Sequence, residues 1–135
     1  MSYVRASAPG KAVLSGEYAV LQGAPAICMA VNNRAIVTIT RVEQPWHSVS
    51  APGYSCLEGR FVSDGVAPQW LQGEDEYPLV DIAWRAVGPD SDGGLAIELD
   101  TRAFFDDESG AKLGLGSSAA LTVALTAALM QSTDI

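Results

Sequence analysis

The clearest alternation of apolar and polar positions lies in GLAIELD, where Leu95, Ile97 and Leu99 take turns with Ala96, Glu98 and Asp100, which predicts a half-buried strand. In AICMAVNNRAIVTITRV, Ile36, Val37, Ile39 and Val42 are punctuated by Thr38, Thr40 and Arg41, and a long strand is predicted there. YVRASAP and KAVLSGEYAVL mix β-branched and small residues around Pro9 and Gly10, so this region reads as strand, turn, strand. Between Gln44 and Gln69 the chain is rich in Pro, Gly and Ser, with apolar bursts at Ser48 to Ala51 and Arg60 to Val62. Short strands joined by loops are expected.

Two segments follow a helical period instead. YPLVDIAWRAVG sets Leu79, Ile82, Ala83 and Ala86 on one face and Asp81 four residues before Arg85 on another, which predicts a helix ending near Gly88 and Pro89. From Ser117 to Met130 the chain carries no charge and is built mainly from Ala and Leu, good helix formers. Such a helix is expected to be buried on nearly every side, Leu121, Val123, Leu125 and Leu129 included. Together these elements predict an α+β fold, with one central helix under a mixed sheet.

A chain of 135 residues that is 48% apolar fits one domain with a real core. Its formal net charge is −8 and its 8 Lys and Arg are scattered singly, so no basic stripe exists to neutralise a nucleic-acid backbone or an anionic membrane. Cys28, Cys56 and the single His47 lack metal-ligand spacing. The N-terminus has no apolar run of the signal-peptide kind and Ala119 to Met130 is too short to span a bilayer, which leads to the expectation of a cytoplasmic protein.

The chemistry concentrates at KLGLGSSAA, Lys112 to Ala120, directly before the uncharged helix. Ser117 or Ser118 could simply cap the helix, since the first N–H groups of any helix lack intrahelical partners. Gly114 and Gly116 go further than a cap requires: they permit positive φ and let a bulky group approach the backbone. Phosphate suits that position, because consecutive N–H donors and the positive end of the helix dipole attract an anion. A Walker loop is excluded, because its Lys stands directly before the final Ser or Thr, whereas Lys112 precedes the glycines. A second candidate is Lys11, a cation straight after Pro9 and Gly10 in a chain poor in cations, followed by Glu17 and Tyr18.

APGKAVLSGEYAV and GLGSSAA, in this order and about a hundred residues apart, resemble the two motifs of the GHMP kinase superfamily. These are small-molecule kinases that include galactokinase, homoserine kinase, mevalonate kinase and phosphomevalonate kinase. The resemblance implies the N-terminal domain of such kinases, with a left-handed β-α-β crossover. It implies that Gly114, Leu115, Gly116, Ser117, Ser118 and Ala119, with Lys112 beside them, wrap the phosphates of ATP. Ser118 would contact Mg2+, Lys11 would act at the phosphoryl or acceptor end, and Glu17 and Tyr18 would border the pocket of a small alcohol or phosphate acceptor. GEY at Gly16 to Tyr18 and the spelling GAKLGLGSSAA look most like phosphomevalonate kinases, whereas LQGAPAICMAV is similar to mevalonate kinases. Family members are about twice this long, so the resemblance further implies a missing C-terminal domain that carries the catalytic aspartate. Asp106, Asp107 and Glu108 read as solvated surface rather than as its substitute. An alternative of another class is a non-catalytic nucleotide-binding or interaction domain.

Overall fold

The computed structural model describes residues 3–91 and 93–135. Six strands, β1 (Tyr3–Ser15), β2 (Ile27–Val42), β3 (His47–Ala51), β4 (Ser55–Ser63), β5 (Pro68–Gln72) and β6 (Gly94–Asp100), form one mixed sheet in the order β1-β2-β6-β3-β4-β5. Only β3 and β6 pair in parallel, and the connection between them carries β4, β5 and helix α1 (Pro78–Val87). This connection is a β-α-β crossover between parallel strands. Helix α2 (Ser117–Gln131) ends the chain apart from one short 3-10 turn.

The alternation in β6 is met as expected: Leu95, Ile97 and Leu99 point inward, in register with Arg41, Ile39 and Val37 of β2. Ala35, Val37 and Ile39 add the β2 part of the same buried face, and Val49 and Phe61 extend it through β3 and β4. Both helices cover this face. Ala120, Ala124 and Ala128 are buried at a four-residue spacing, so α2 presents small side chains to β1 and β2, and Leu125 and Leu129 fill the space beside them.

Three sequence expectations are corrected here. The first concerns Pro9 and Gly10, which make no turn: β1 runs through them as one edge strand, with a register shift between Pro9 and Lys11. An edge position accommodates the missing N–H of proline. The second concerns α1, whose buried residues are Val80, Ala83 and Trp84, while Ile82 is 64% exposed. Trp84 turns the buried stripe, because its ring packs on His47 and edge-on to Phe61, and its Nε1–H donates to Ser63 Oγ at 3.0 Å. The predicted Asp81–Arg85 pair does form, at 2.8 Å. The third concerns α2, which is buried along one side only. Val123 and Met130 are each 61% exposed, because the sheet lies on one side of the helix and among the described residues no second layer covers the other.

Candidate functional site

Helix α2 starts without the serine cap that its sequence offers. The residue before it, Gly116, lies in the left-handed region (φ 73°, ψ 42°), and no side chain caps the helix. The first intrahelical bond runs from Ala120 N–H to Gly116 O at 3.1 Å. The N–H groups of Ser117, Ser118 and Ala119 stand ahead of it, and none has a hydrogen-bond acceptor among the described residues. Ser117 is buried and Ser118 exposed. Three unspent donors at the positive end of a fifteen-residue helix make a surface suited to an anion.

Lys11 is brought to this turn from the far end of the sequence. Its N–H donates to Leu115 O at 2.7 Å, which joins the turn to the edge of the sheet. Its side chain crosses Gly116 so closely that a Cβ there would stand 3.2 Å from Cγ and 3.4 Å from Cε. Gly10 makes the approach possible. A Cβ at Gly10 would lie 2.5 Å from Leu115 O and 2.5 Å from Phe104 Cε1. The glycine that suggests a turn in the sequence is instead the flat place in a strand against which the turn and Phe104 pack.

A cavity of about 270 Å³ opens beside the turn. It is lined by Lys112, Ser117 and Ser118, by Tyr54, Glu76 and Tyr77, and by apolar side chains of both helices and β6. Lys112 is positioned by its bridge to Phe105 and by the neighbouring bond from Leu113 N–H to Phe104 O at 2.9 Å. Tyr77 is fixed by a hydrogen bond from its hydroxyl to Leu57 O at 2.5 Å, and burial raises its pKa, so it remains a protonated donor. Tyr54 follows the Pro52–Gly53 turn, which its own N–H closes onto Ala51 O at 3.1 Å.

The structure therefore brings together Lys11, Lys112 and the segment from Gly114 to Ala119. It does not bring Glu17 and Tyr18 to the cavity: both are exposed near the tip of the β1–β2 hairpin. Asp106 serves its own loop, accepting hydrogen bonds from Ser109 N–H at 3.1 Å and Ser109 Oγ at 2.6 Å, contacts that hold its carboxyl below the usual range. Tyr54, Glu76 and Tyr77 line the cavity without having been singled out from the sequence, and Leu79 and Leu121, expected there only as core positions of the helices, line it too. Pro52–Gly53 was the one signal that could have pointed to Tyr54.

No family model matches the chain. The mevalonate kinase of Methanothermobacter thermautotrophicus is 34% identical to it over 127 residues, which is 92% of this chain and 35% of that protein. Among solved structures, the Lin0012 protein of Listeria innocua matches 98% of this chain and 38% of its own, with 29% identity and a TM-score of 0.73. The phosphomevalonate kinase of Streptococcus pneumoniae, solved with phosphomevalonate and AMPPNP, matches 98% of this chain and 37% of its own at 17% identity and a TM-score of 0.69. At that identity the likeness is one of fold. This chain spans about a third of the length of the curated relative it matches.

Proposed function

We propose that the chain is a member of the GHMP kinase superfamily, the nucleotide-binding N-terminal part of an ATP-dependent kinase of the mevalonate pathway. The observation that carries this reading is the uncapped start of α2: three free N–H donors with a lysine stem laid across the same turn. The N–H groups of Ser117, Ser118 and Ala119 bind the β- and γ-phosphates, and Lys11 and Lys112 supply the compensating charge. Phosphoryl transfer depends mainly on such positioning and electrostatics. The cavity lies just below the ~300–1,000 Å³ of small-molecule sites, a size that suits the nucleoside while the phosphates remain at the turn.

Ser118 fits the Mg2+ expectation. Its exposed hydroxyl offers one oxygen, and magnesium keeps most of its shell for waters and substrate phosphates. Bound there, the ion would neutralise charge developing on the phosphates. Glu17 and Tyr18 border the acceptor from the hairpin tip, which requires the acceptor to lie outside the nucleoside cavity. The GEY and KLGLGSSAA spellings favour phosphomevalonate as acceptor, whereas the curated relative favours mevalonate, so the reading at the level of the acceptor is one of these two. A further domain, as the length of the relatives suggests, would complete the catalytic groups.

The test is calorimetric titration of the folded chain with a non-hydrolysable ATP analogue, with and without Mg2+, followed by phosphoryl-transfer assays on mevalonate and phosphomevalonate. Saturable binding that Mg2+ strengthens is expected. A folded chain that binds no nucleotide at millimolar concentration would overturn the reading. Binding without transfer by this chain, with transfer appearing once a further domain is supplied, is the outcome this reading expects; binding with no transfer even then favours a non-catalytic nucleotide-binding domain.

A further inference from the structure

We infer that Asn33 is a positioning residue for the turn before α2: its side-chain amide holds the Arg102–Phe104 3-10 turn to β2, and the segment from Lys112 to Leu115 is built on that turn. The inference deepens the nucleotide reading of the site and rests on it. β2 points Ala35, Val37 and Ile39 into the core, and Asn33 follows two residues before them on the same side of the strand, half-buried. An amide turned inward there needs a partner. It has one, since its Nδ2–H donates to Ala103 O at 2.6 Å from 70 residues away.

The turn that Asn33 holds has two carbonyls to spare. Thr101 O and Arg102 O accept Phe104 N–H at 3.0 Å and Phe105 N–H at 3.2 Å, but the chain becomes extended at Phe105, which leaves Ala103 O and Phe104 O without a partner inside the turn. Asn33 takes the first, and Leu113 N–H takes the second at 2.9 Å. Neighbouring carbonyls of one turn thus face opposite ways, one tied to the sheet and one to the segment that enters the site. Phe105 then bridges to Lys112. Phe104 is fully buried, and its ring and Leu115 O share the space over Gly10, where a Cβ would stand 2.5 Å from each, next to Lys11. Lys112, Leu113 and Leu115 therefore all take their places from the 102–104 turn. With the donor of Asn33 gone, that turn is free to rock about the Phe104 ring, and Lys112 and the N–H groups of Ser117 to Ala119 no longer hold one fixed arrangement.

The experiment titrates AMPPNP with Mg2+ into the unaltered chain, Asn33→Ala, Asn33→Asp and Ser63→Ala, with a thermal melt and the amide NMR spectrum of each chain before ligand is added. Asn33→Asp keeps the size of the side chain and loses the donor, so either Asn33 variant that folds suffices. Ser63→Ala removes the acceptor of Trp84 Nε1–H, a bond of 3.0 Å between residues that do not line the cavity, and so reads what lost stability does by itself. The Asn33 variants are expected to bind AMPPNP about three- to tenfold more weakly, the worth of one hydrogen bond, and to shift the amide signals of Leu113, Gly114, Gly116 and Ser117. Ser63→Ala is expected to melt earlier with that affinity and those signals unchanged. Unchanged affinity or unmoved signals in the Asn33 variants, or equal weakening by Ser63→Ala, would overturn the inference, while AMPPNP binding by the unaltered chain leaves the nucleotide reading standing. Failure of the unaltered chain to bind AMPPNP would remove both.

Discussion

Replacing Gly116 by alanine tests the close approach at the centre of the site. The backbone there has φ 73°, and an L-residue in the left-handed region costs roughly 1–2 kcal/mol. For a chain of 135 residues that corresponds to a melting temperature lower by roughly 3–10 °C. The new methyl also meets Lys11 at 3.2 Å from Cγ and 3.4 Å from Cε, so the lysine stem must yield by a few tenths of an ångström. If the ammonium at its end compensates phosphate charge, that displacement is expected to weaken nucleotide binding on the order of tenfold. Gly65→Ala separates the two effects. Gly65 has φ 96° in the turn between β4 and β5, where a Cβ would meet nothing within 4 Å, so this variant carries comparable strain without touching Lys11. Calorimetric titration well below both melting temperatures, alongside the melts, reads each term. Equal losses of stability with nucleotide affinity unchanged in Gly116→Ala would refute the role given to the Lys11–Gly116 contact.

Lys11→Met keeps the stem over Gly116 and removes the charge; its melt is expected to match the unaltered chain while ATP affinity falls at least tenfold, and low salt should widen the gap. Ser118→Ala is expected to leave the melt unchanged, because the Ser118 hydroxyl caps nothing, and to reduce the strengthening of nucleotide binding by Mg2+; an earlier melt with normal Mg2+ dependence would make the serine purely structural. His47 makes stability sensitive to acid. Burial lowers its pKa to about 4 from 6.5, and its Nδ1 accepts Leu95 N–H at 3.0 Å, so the native state holds it neutral whereas the unfolded chain protonates it. Stability is complete above pH 6.5 and falls as pH drops toward 4, by about 3 kcal/mol in urea unfolding, and His47→Phe should flatten the curve in that window; an identical slope in both proteins would refute the assignment.

Legibility in the sequence followed the range of the interactions. The alternation of β6, the long β2 and the start of α2 at Ser117 are set by local periodicity and were readable. Gly10 was misread because a glycine beside a proline signals a turn locally, whereas here it serves a close approach by Leu115 and Phe104. The inward face of α1 was displaced because Trp84 packs into an aromatic cluster formed by β3 and β4, which no helical period reveals. The open side of α2 depends on how many layers cover it, a property of the whole assembly. In the site, the turn before α2 and Lys11, which the structure brings together, were legible as residue types out of place in their surroundings. Tyr54 and Glu76 were not, since each stands in an ordinary polar segment and acquires its meaning only from the cavity it shares with the others.

The hydrogen bond from Lys11 N–H to Leu115 O closes a segment of about a hundred residues, and contacts of such separation form only after most of the chain's entropy has been given up. A nascent chain with α2 already coiled but β1 not yet zipped to β2 would own the amide donors and lack the cation. On the nucleotide reading of the site, nucleotide capture would be reserved for molecules that have finished folding. If ligand binds the completed state alone, ATP would act on this domain as a ratchet, holding finished molecules against re-opening by mass action rather than by any added contact within the protein.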